Sequence, residues 1–361
     1  MRIIFLCHTV AKWGGLHENT TAAINGLIAN GHAVYAVLSP GPISELARSA
    51  GAIVYECDWQ AKDSADRIYR DIEARELSFD VALASPIKSR ELGIELASSL
   101  NIPIAIQFHG HYPDQAAWWK SEVSKFSAVS GSISEMLTGY CQVPGWDVSQ
   151  IPNGVDSGIL NREPIDPALK LRNGTLRISV ASRLEKDKGF QWSALIELLK
   201  NLTPASELDI EVRIMGDGEN RETIAKLIRE NTDGLSNVNV DFTGWLSPEE
   251  VEKELRQSYL AVGSGRSALK SLAVGTPVIG AGRSANIGFI HGVGYDLASW
   301  SSFGDNPSPS VPRSQHLDCV HSVMTDFDFY RSIQIDARRF IEGGRTQEQV
   351  NAMMEAFLLG V

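Results

Sequence analysis

Arg183 and Lys188 stand five residues apart in the run Ile178-Ser-Val-Ala-Ser-Arg-Leu-Glu-Lys-Asp-Lys-Gly189. The run opens as an apolar, strand-like stretch and gives way to a helical pattern near Phe190. In an open α/β sheet, that junction outside the carboxyl end of a strand is where phosphate-bearing ligands collect. A guanidinium fork and an ammonium on one short loop can together neutralise a diphosphate. Glu185 and Asp187 interleave with the two cations, so a solvated charged loop is the competing reading.

Glycine-rich loops surround this run. Ala11-Lys-Trp-Gly-Gly15 follows the first apolar run, and Gly14 and Gly15 would let backbone amides approach a ligand at a helix start. A tight turn with no ligand explains the same residues. Met215-Gly-Asp-Gly-Glu219 also ends a strand pattern and starts a helical one, through Gly216, Asp217 and Gly218. Gly263-Ser-Gly-Arg-Ser-Ala268 and Gly280-Ala-Gly-Arg-Ser-Ala285 both match the dinucleotide fingerprint G-x-G-x-x-A. That fingerprint needs an acid about 20 residues on, at the end of the next strand, to hold a ribose. After the first match the next strand pattern ends Pro277-Val-Ile-Gly280, without an acid. After the second, no strand is expected. A nicotinamide-dependent oxidoreductase is therefore a weak alternative.

The chain has 361 residues, a formal net charge of −11 and 43% hydrophobic residues. That length suits two domains with ample apolar material for two cores. The acidic balance argues against nucleic acid as the main partner, because such binding wants a basic face. Cys7, Cys57, Cys141 and Cys319 lie too far apart for a metal knuckle or a redox pair, and read as reduced thiols in a cytoplasmic protein. The apolar run at the amino terminus is too short for a signal peptide, and no stretch reaches membrane-spanning length. Peripheral membrane contact stays open.

Two sets of elements must position the loops. Ile3–Cys7, Ala33–Leu38, Ala52–Tyr55, Val81–Ala84, Ile104–Phe108 and Ser127–Val129 read as strands. Their apolar residues are continuous rather than alternating, as in a parallel sheet covered on both faces. Helical patterns lie between them, at 19–30, 64–76, 90–100 and 132–139. Residues 157–174 break the alternation with Gly158, Pro164 and Pro167, and read as a linker and hinge. A second set of strands follows at 176–181, 210–215, 238–242, 259–262 and 277–279. Ser247-Pro-Glu-Glu250 carries the signature of a capped helix start. Residues 280–313 read as irregular and 315–359 as helical. The expected fold class is α/β, with two Rossmann-like doubly wound domains at 1–160 and 161–335. A carboxyl-terminal helical segment, 336–361, is expected to pack back on the first domain.

Several remaining motifs carry less. His8, His17, His109 and His111 lack the close spacing of a zinc site, and no metal is expected. Asp326-Phe-Asp328 matches D-x-D, but two acids at a solvated helix end explain it. No G-x-S-x-G elbow supports a serine hydrolase. Trp118-Trp119, near Tyr112 and Pro113, could stack on an acceptor sugar or a lipid; half-buried packing is the stronger reading.

Taken in order, the motifs resemble those of the retaining glycosyltransferases of family 4, from about residue 2 to residue 280. The resemblance rests on Trp13-Gly-Gly-Leu-His-Glu18, Leu27-Ile-Ala-Asn-Gly-His-Ala-Val34, Gln107-Phe-His-Gly-His111 and Ile151-Pro-Asn-Gly-Val-Asp156. It continues through Ser182-Arg-Leu-Glu-Lys-Asp-Lys-Gly-Phe190, Met215-Gly-Asp-Gly218, Phe242-Thr-Gly-Trp245 and Leu272-Ala-Val-Gly-Thr-Pro-Val278. It implies the GT-B fold, two Rossmann-like domains facing across a cleft. The implied activity is sugar transfer from a nucleotide-activated donor to a carbohydrate or glycolipid acceptor, with retention and without a cofactor or metal, as in polysaccharide biosynthesis. By resemblance, His109, Arg183 and Lys188 are the catalytic residues. Gly14, Gly15, Gly216, Asp217, Gly218, Gly265, Arg266, Ser267 and Lys270 are implied to bind substrate. One departure stands out. The family carries two glutamates eight apart, which hold the ribose and the transferred sugar; here those positions are Val262 and Lys270. A charged lysine cannot accept a hydrogen bond from a hydroxyl. A silent sugar-nucleotide-binding relative is therefore one alternative, and a nucleotide-sugar epimerase of similar architecture is another.

Overall fold

Most of the continuous apolar runs become buried parallel strands in the computed structural model, which describes the chain except for Lys12, Arg172 and residues 203–207 and 310–312. The first sheet holds Arg2–Cys7 (β1), Ala33–Leu38 (β2), Ile53–Glu56 (β3), Val81–Ala84 (β4), Ile104–Phe108 (β5), Lys125–Ala128 (β6) and Val148–Gln150 (β7). Its order is β3-β2-β1-β4-β5-β6-β7, and every pairing is parallel. The second holds Thr175–Ala181 (β8), Asp209–Met215 (β9), Val238–Gly244 (β10), Leu260–Gly263 (β11), Val278–Ala281 (β12) and Asn286–Phe289 (β13). Its order is β10-β9-β8-β11-β12-β13, parallel except for the last hairpin. Both are doubly wound Rossmann-type sheets. The strand order reverses between β1 and β4 in one and between β8 and β11 in the other, and those switch points are where such sheets take ligands.

Two compact units result, Met1–Asn153 with Gln347–Val361 and Gly154–Thr346. The boundaries expected at 160/161 and 335/336 fall instead at 153/154 and 346/347. The cause is local: Val155 bridges Thr346 and donates its N–H to the Arg345 carbonyl at 2.9 Å, so the chain joins the second unit just past Asn153. The helix Gln347–Leu359 packs on the helix Gly15–Ala29 in the first unit. A Cβ on Gly26 would come 2.2 Å from Asn351 Nδ2, so glycine permits that approach. His32 and Asn30 both reach the Glu355 carboxylate, at 2.8 and 2.6 Å.

The segment read as a linker is docked instead. Residues 157–174 contain the helix Pro167–Leu171, and Lys170 Nζ donates to the Ser258 carbonyl, Thr276 Oγ1 and the Tyr330 hydroxyl. Arg256 and Arg338 bind carbonyls of Ile159, Leu160, Arg162 and Glu163. One of the prolines that suggested a linker is a packing point: Gly275 leaves room for Pro164, which an added Cβ would meet at 2.6 Å.

Residues 280–313, read as irregular, hold β13 and the helix Gly294–Ser301. The Gly280-Ala-Gly-Arg-Ser-Ala285 match lies at the turn of the β12–β13 hairpin and opens no helix, so it cannot serve as a dinucleotide fingerprint. Ser247-Pro-Glu-Glu250 forms a reciprocal capping box at the start of the helix Pro248–Gln257. Asp326 caps the helix Phe327–Glu342 by accepting from the amides of Asp328 and Phe329, while Asp328 pairs with Arg331. The D-x-D match is thus a helix start. No helix among the described residues is long and apolar enough to cross a membrane.

Candidate functional site

At the switch point of the second sheet, the loop after β8 carries Arg183 and Lys188, and the loop after β11 carries Ser264 and Gly265. The first loop is held by the glycine turn after β9. Ser182 donates its amide to the Met215 carbonyl, Leu184 to Asp217, and Asn220 returns one to Leu184, all at 2.9–3.1 Å. Gly216 has φ +126°, and a Cβ there would stand 2.0 Å from the Ser182 carbonyl oxygen. At Gly218 the same atom would stand 2.6 Å from the Leu184 carbonyl. These glycines are required by the neighbouring backbone, whatever ligand their amides face. Asp217 turns back on its own segment, accepting from the Gly218 amide and pairing with Arg221 at 3.7 Å.

Arg183 is half-buried, and its guanidinium has no ion-pair or hydrogen-bond partner among the described residues. Lys188 differs. It donates to Ser264 Oγ at 3.2 Å and forms a close ion pair with Asp305, whose Oδ1 also accepts from Ser264 Oγ at 2.8 Å. Beside it, Asp187 pairs with Arg283 at 2.8 Å. Arg183 and Lys188 are therefore not equivalent: the first has no partner among the described residues, and the second already faces an internal carboxylate.

The helix Gly265–Ala273 carries the remaining predicted residues of this unit. Gly265 has φ +53° and opens the helix. Arg266 is half-buried, and Ser267 Oγ donates to the Ser264 carbonyl at 2.9 Å. Lys270 lies half-buried in the last turn. Val262 is 1% exposed within β11, part of the core beneath the sheet. The position where the resemblance calls for a glutamate is thus a core position in this chain.

Gly14, Gly15 and His109 belong to the first unit. Gly14 and Gly15 start the helix Gly15–Ala29 after β1, with Lys12 outside the described residues. His109 follows β5 and is half-buried. Its loop is anchored by Asp114, which pairs with Arg90 at 3.3 Å and accepts the Ile87 amide at 2.7 Å. Ile87, Asp114 and Gln115 all take left-handed backbone, φ +64°, +45° and +56°, which a β-branched residue adopts only under constraint. An open cavity of about 420 Å³ in the same unit is lined by His111, Pro113, Glu135, Met136, Gly139 and Tyr140. The two tryptophans separate: Trp119 is stacked between Phe108 and Phe126 in the core, whereas Trp118 is 87% exposed. His8, just after β1, is held below its ordinary imidazole pKa by burial and then by Lys88.

Sequence reasoning missed Ser264 and Asp305 as partners of Lys188. Ser264 sat inside a motif read for its glycines, and Asp305 in a tract read as irregular.

Residues 161–287 match the family model described as glycosyl transferases group 1. The matched range lies within the second unit. Arg183, Lys188, Gly216, Gly265 and Lys270 all lie inside the matched range. Solved structures agree on the fold over the whole length. A glycosyltransferase from Rickettsia africae superposes with a TM-score of 0.75 at 16% identity, covering 99% of this chain and 97% of that one. Anabaena HepE in complex with UDP gives 0.75 at 17% identity, with 100% of both chains covered. Sucrose-phosphate synthase from Thermosynechococcus elongatus gives 0.66 at 14%, covering 99% and 98%. At these identities the likeness establishes the fold, which is that of GT-B glycosyltransferases. A search of curated protein sequences finds no significant match.

Proposed function

We propose that this chain transfers a sugar from a nucleoside diphosphate donor to a carbohydrate or lipid-linked acceptor. The carrying observation is the switch-point loop after β8, where the Arg183 guanidinium has no ion-pair or hydrogen-bond partner among the described residues and Lys188 reaches Ser264 at the start of the helix Gly265–Ala273. Cleaving the bond between an anomeric carbon and a diphosphate releases a multiply charged leaving group. Arg183, Lys188 and loop amides supply the positive charge that stabilises it, with no metal required by this scheme. Losing one such preorganised group lowers the rate by about 100- to 1,000-fold. His109 serves at the sugar in the first unit, and transfer proceeds with retention in a cytoplasmic, at most peripherally membrane-bound, protein. Similarity to a fold crystallised with UDP supports a nucleoside diphosphate as the donor's leaving group.

The test is heat protection by UDP, GDP or ADP, followed by anomer analysis of the product. Binding of any of the three with loss in Arg183→Ala supports the reading, and an inverted product removes the retention claim.

A second reading is favoured by Val262 and Lys270: a protein that binds the donor without turning it over. In that case the wild type leaves a UDP-sugar intact even with acceptor present, and Lys270→Glu gains donor hydrolysis. Turnover by the wild type rejects it.

A further inference from the structure

Asp305 sits where an anion belongs. Its carboxylate meets Lys188 Nζ and Ser264 Oγ, and it is pressed against two glycines. A Cβ on Gly265 would lie 3.0 Å from Asp305 Oδ2, and one on Gly282 would lie 2.6 Å from Oδ1. This is a fitted niche, with small residues on two sides and donors on the third.

The backbone that delivers the carboxylate is strained. Ser302, Phe303 and Gly304 are three consecutive left-handed residues, φ +51°, +60° and +89°. Glycine adopts that region freely, whereas serine and phenylalanine do so only when the surroundings over-determine them. Here they do. Gly265 donates to the Ser302 carbonyl, Gly304 accepts from Ser284 and Ala285, and Ser284 Oγ binds the Asp305 carbonyl, at 2.9–3.0 Å. Phe303 is buried beneath. Ser302 is the left-handed cap of the helix Gly294–Ser301, and the turn that follows it sets one partly exposed carboxylate on one lysine.

We infer that Asp305 is a built-in competitor for the donor phosphates: a displaceable carboxylate that holds Lys188 until a ligand anion takes its place. The inference rests on the donor-site reading given above. Lys188 cannot neutralise two anions at once, and a carboxylate left beside a diphosphate repels it. Binding therefore requires the Ser302–Asp305 turn to swing out, and the relieved backbone strain offsets part of the broken ion pair.

The experiment is calorimetric titration of the full chain with UDP, GDP and ADP, in the wild type, Asp305→Asn and Ser302→Gly. Asn keeps the shape and an acceptor for Ser264 but removes the charge. The inference expects Asp305→Asn to bind about tenfold tighter than the wild type, in line with the loss of one close like charge. Ser302→Gly keeps every partner of the carboxylate and removes strain from the occupied state, so it binds about threefold weaker. If the wild type binds and Asp305→Asn binds equally or more weakly, Asp305 positions Lys188 and the competitor is refuted while the donor site stands. If Asp305→Asn does not fold, unchanged or tighter binding by Ser302→Gly refutes it. If neither wild type nor Asp305→Asn binds any of the three, the donor-site reading falls and takes the inference with it.

Discussion

Gly216 and Ser182 approach so closely that a methyl group on the glycine would stand 2.0 Å from the serine carbonyl oxygen. Through this contact the turn after β9 fixes the start of the loop that carries Arg183. Gly216→Ala must push the two loops apart and also place alanine at φ +126°. The expected loss is about 3 kcal/mol of stability, with heat protection by nucleoside diphosphates lost as well. Thermal unfolding with and without UDP measures both.

Arg183→Ala has the opposite profile. The guanidinium holds nothing in the protein among the described residues, so its removal leaves the melting temperature within about 2 °C. Donor binding weakens at least tenfold. A melting temperature that falls steeply without ligand would assign the side chain a structural role instead.

Lys170 makes stability depend on pH. Burial, and secondarily Arg256, brings its ammonium down to about 7. Below that pH the group is charged in both folded and unfolded chains, and the burial penalty is carried in full. Between about 7 and the unfolded value of about 10.4 the unfolded chain binds more protons, so stability rises with pH, by at most about 1.4 kcal/mol per unit. Urea unfolding across pH 6–9 should show this rise in the wild type and a flatter profile in Lys170→Met. Equal slopes would show that Lys170 is not the group responsible.

The adjacent tryptophans should behave as unrelated residues. Trp119→Ala removes a ring stacked between Phe108 and Phe126 and is expected to cost about 3–5 kcal/mol. Trp118→Ala, at an 87% exposed position, should change stability by no more than about 0.5 kcal/mol. Chemical denaturation of the two variants decides it.

The strands were legible because burial on both faces demands unbroken apolar residues. Ala33–Leu38, Val81–Ala84 and Ile104–Phe108 have the same limits in sequence and structure. The capping box at Ser247 was legible because its chemistry is local. What stayed hidden depends on distant partners. The segment around Pro164 and Lys170 looked like a linker because glycine and proline carry no sign of whether they are docked. β13 was hidden in a tract rich in glycine and serine, since a short antiparallel edge strand needs little apolar sequence. The cations at 183 and 188 were visible as a pair, but the carboxylate that answers one of them lies 117 residues away. No spacing rule reaches that far. Glycines 216 and 218 were noticed as possible ligand loops, yet their conformations answer first to the carbonyls of Ser182 and Leu184.

Donor binding by this chain turns on phosphate recognition at the loop after β8. Calorimetric titration of wild type and Arg183→Ala with UDP, GDP and ADP tests this most directly. The prediction is saturable one-to-one binding of at least one nucleotide by the wild type, weakened tenfold or more in the variant. No heat from any of the three at millimolar concentration, or equal affinity in both proteins, would contradict it.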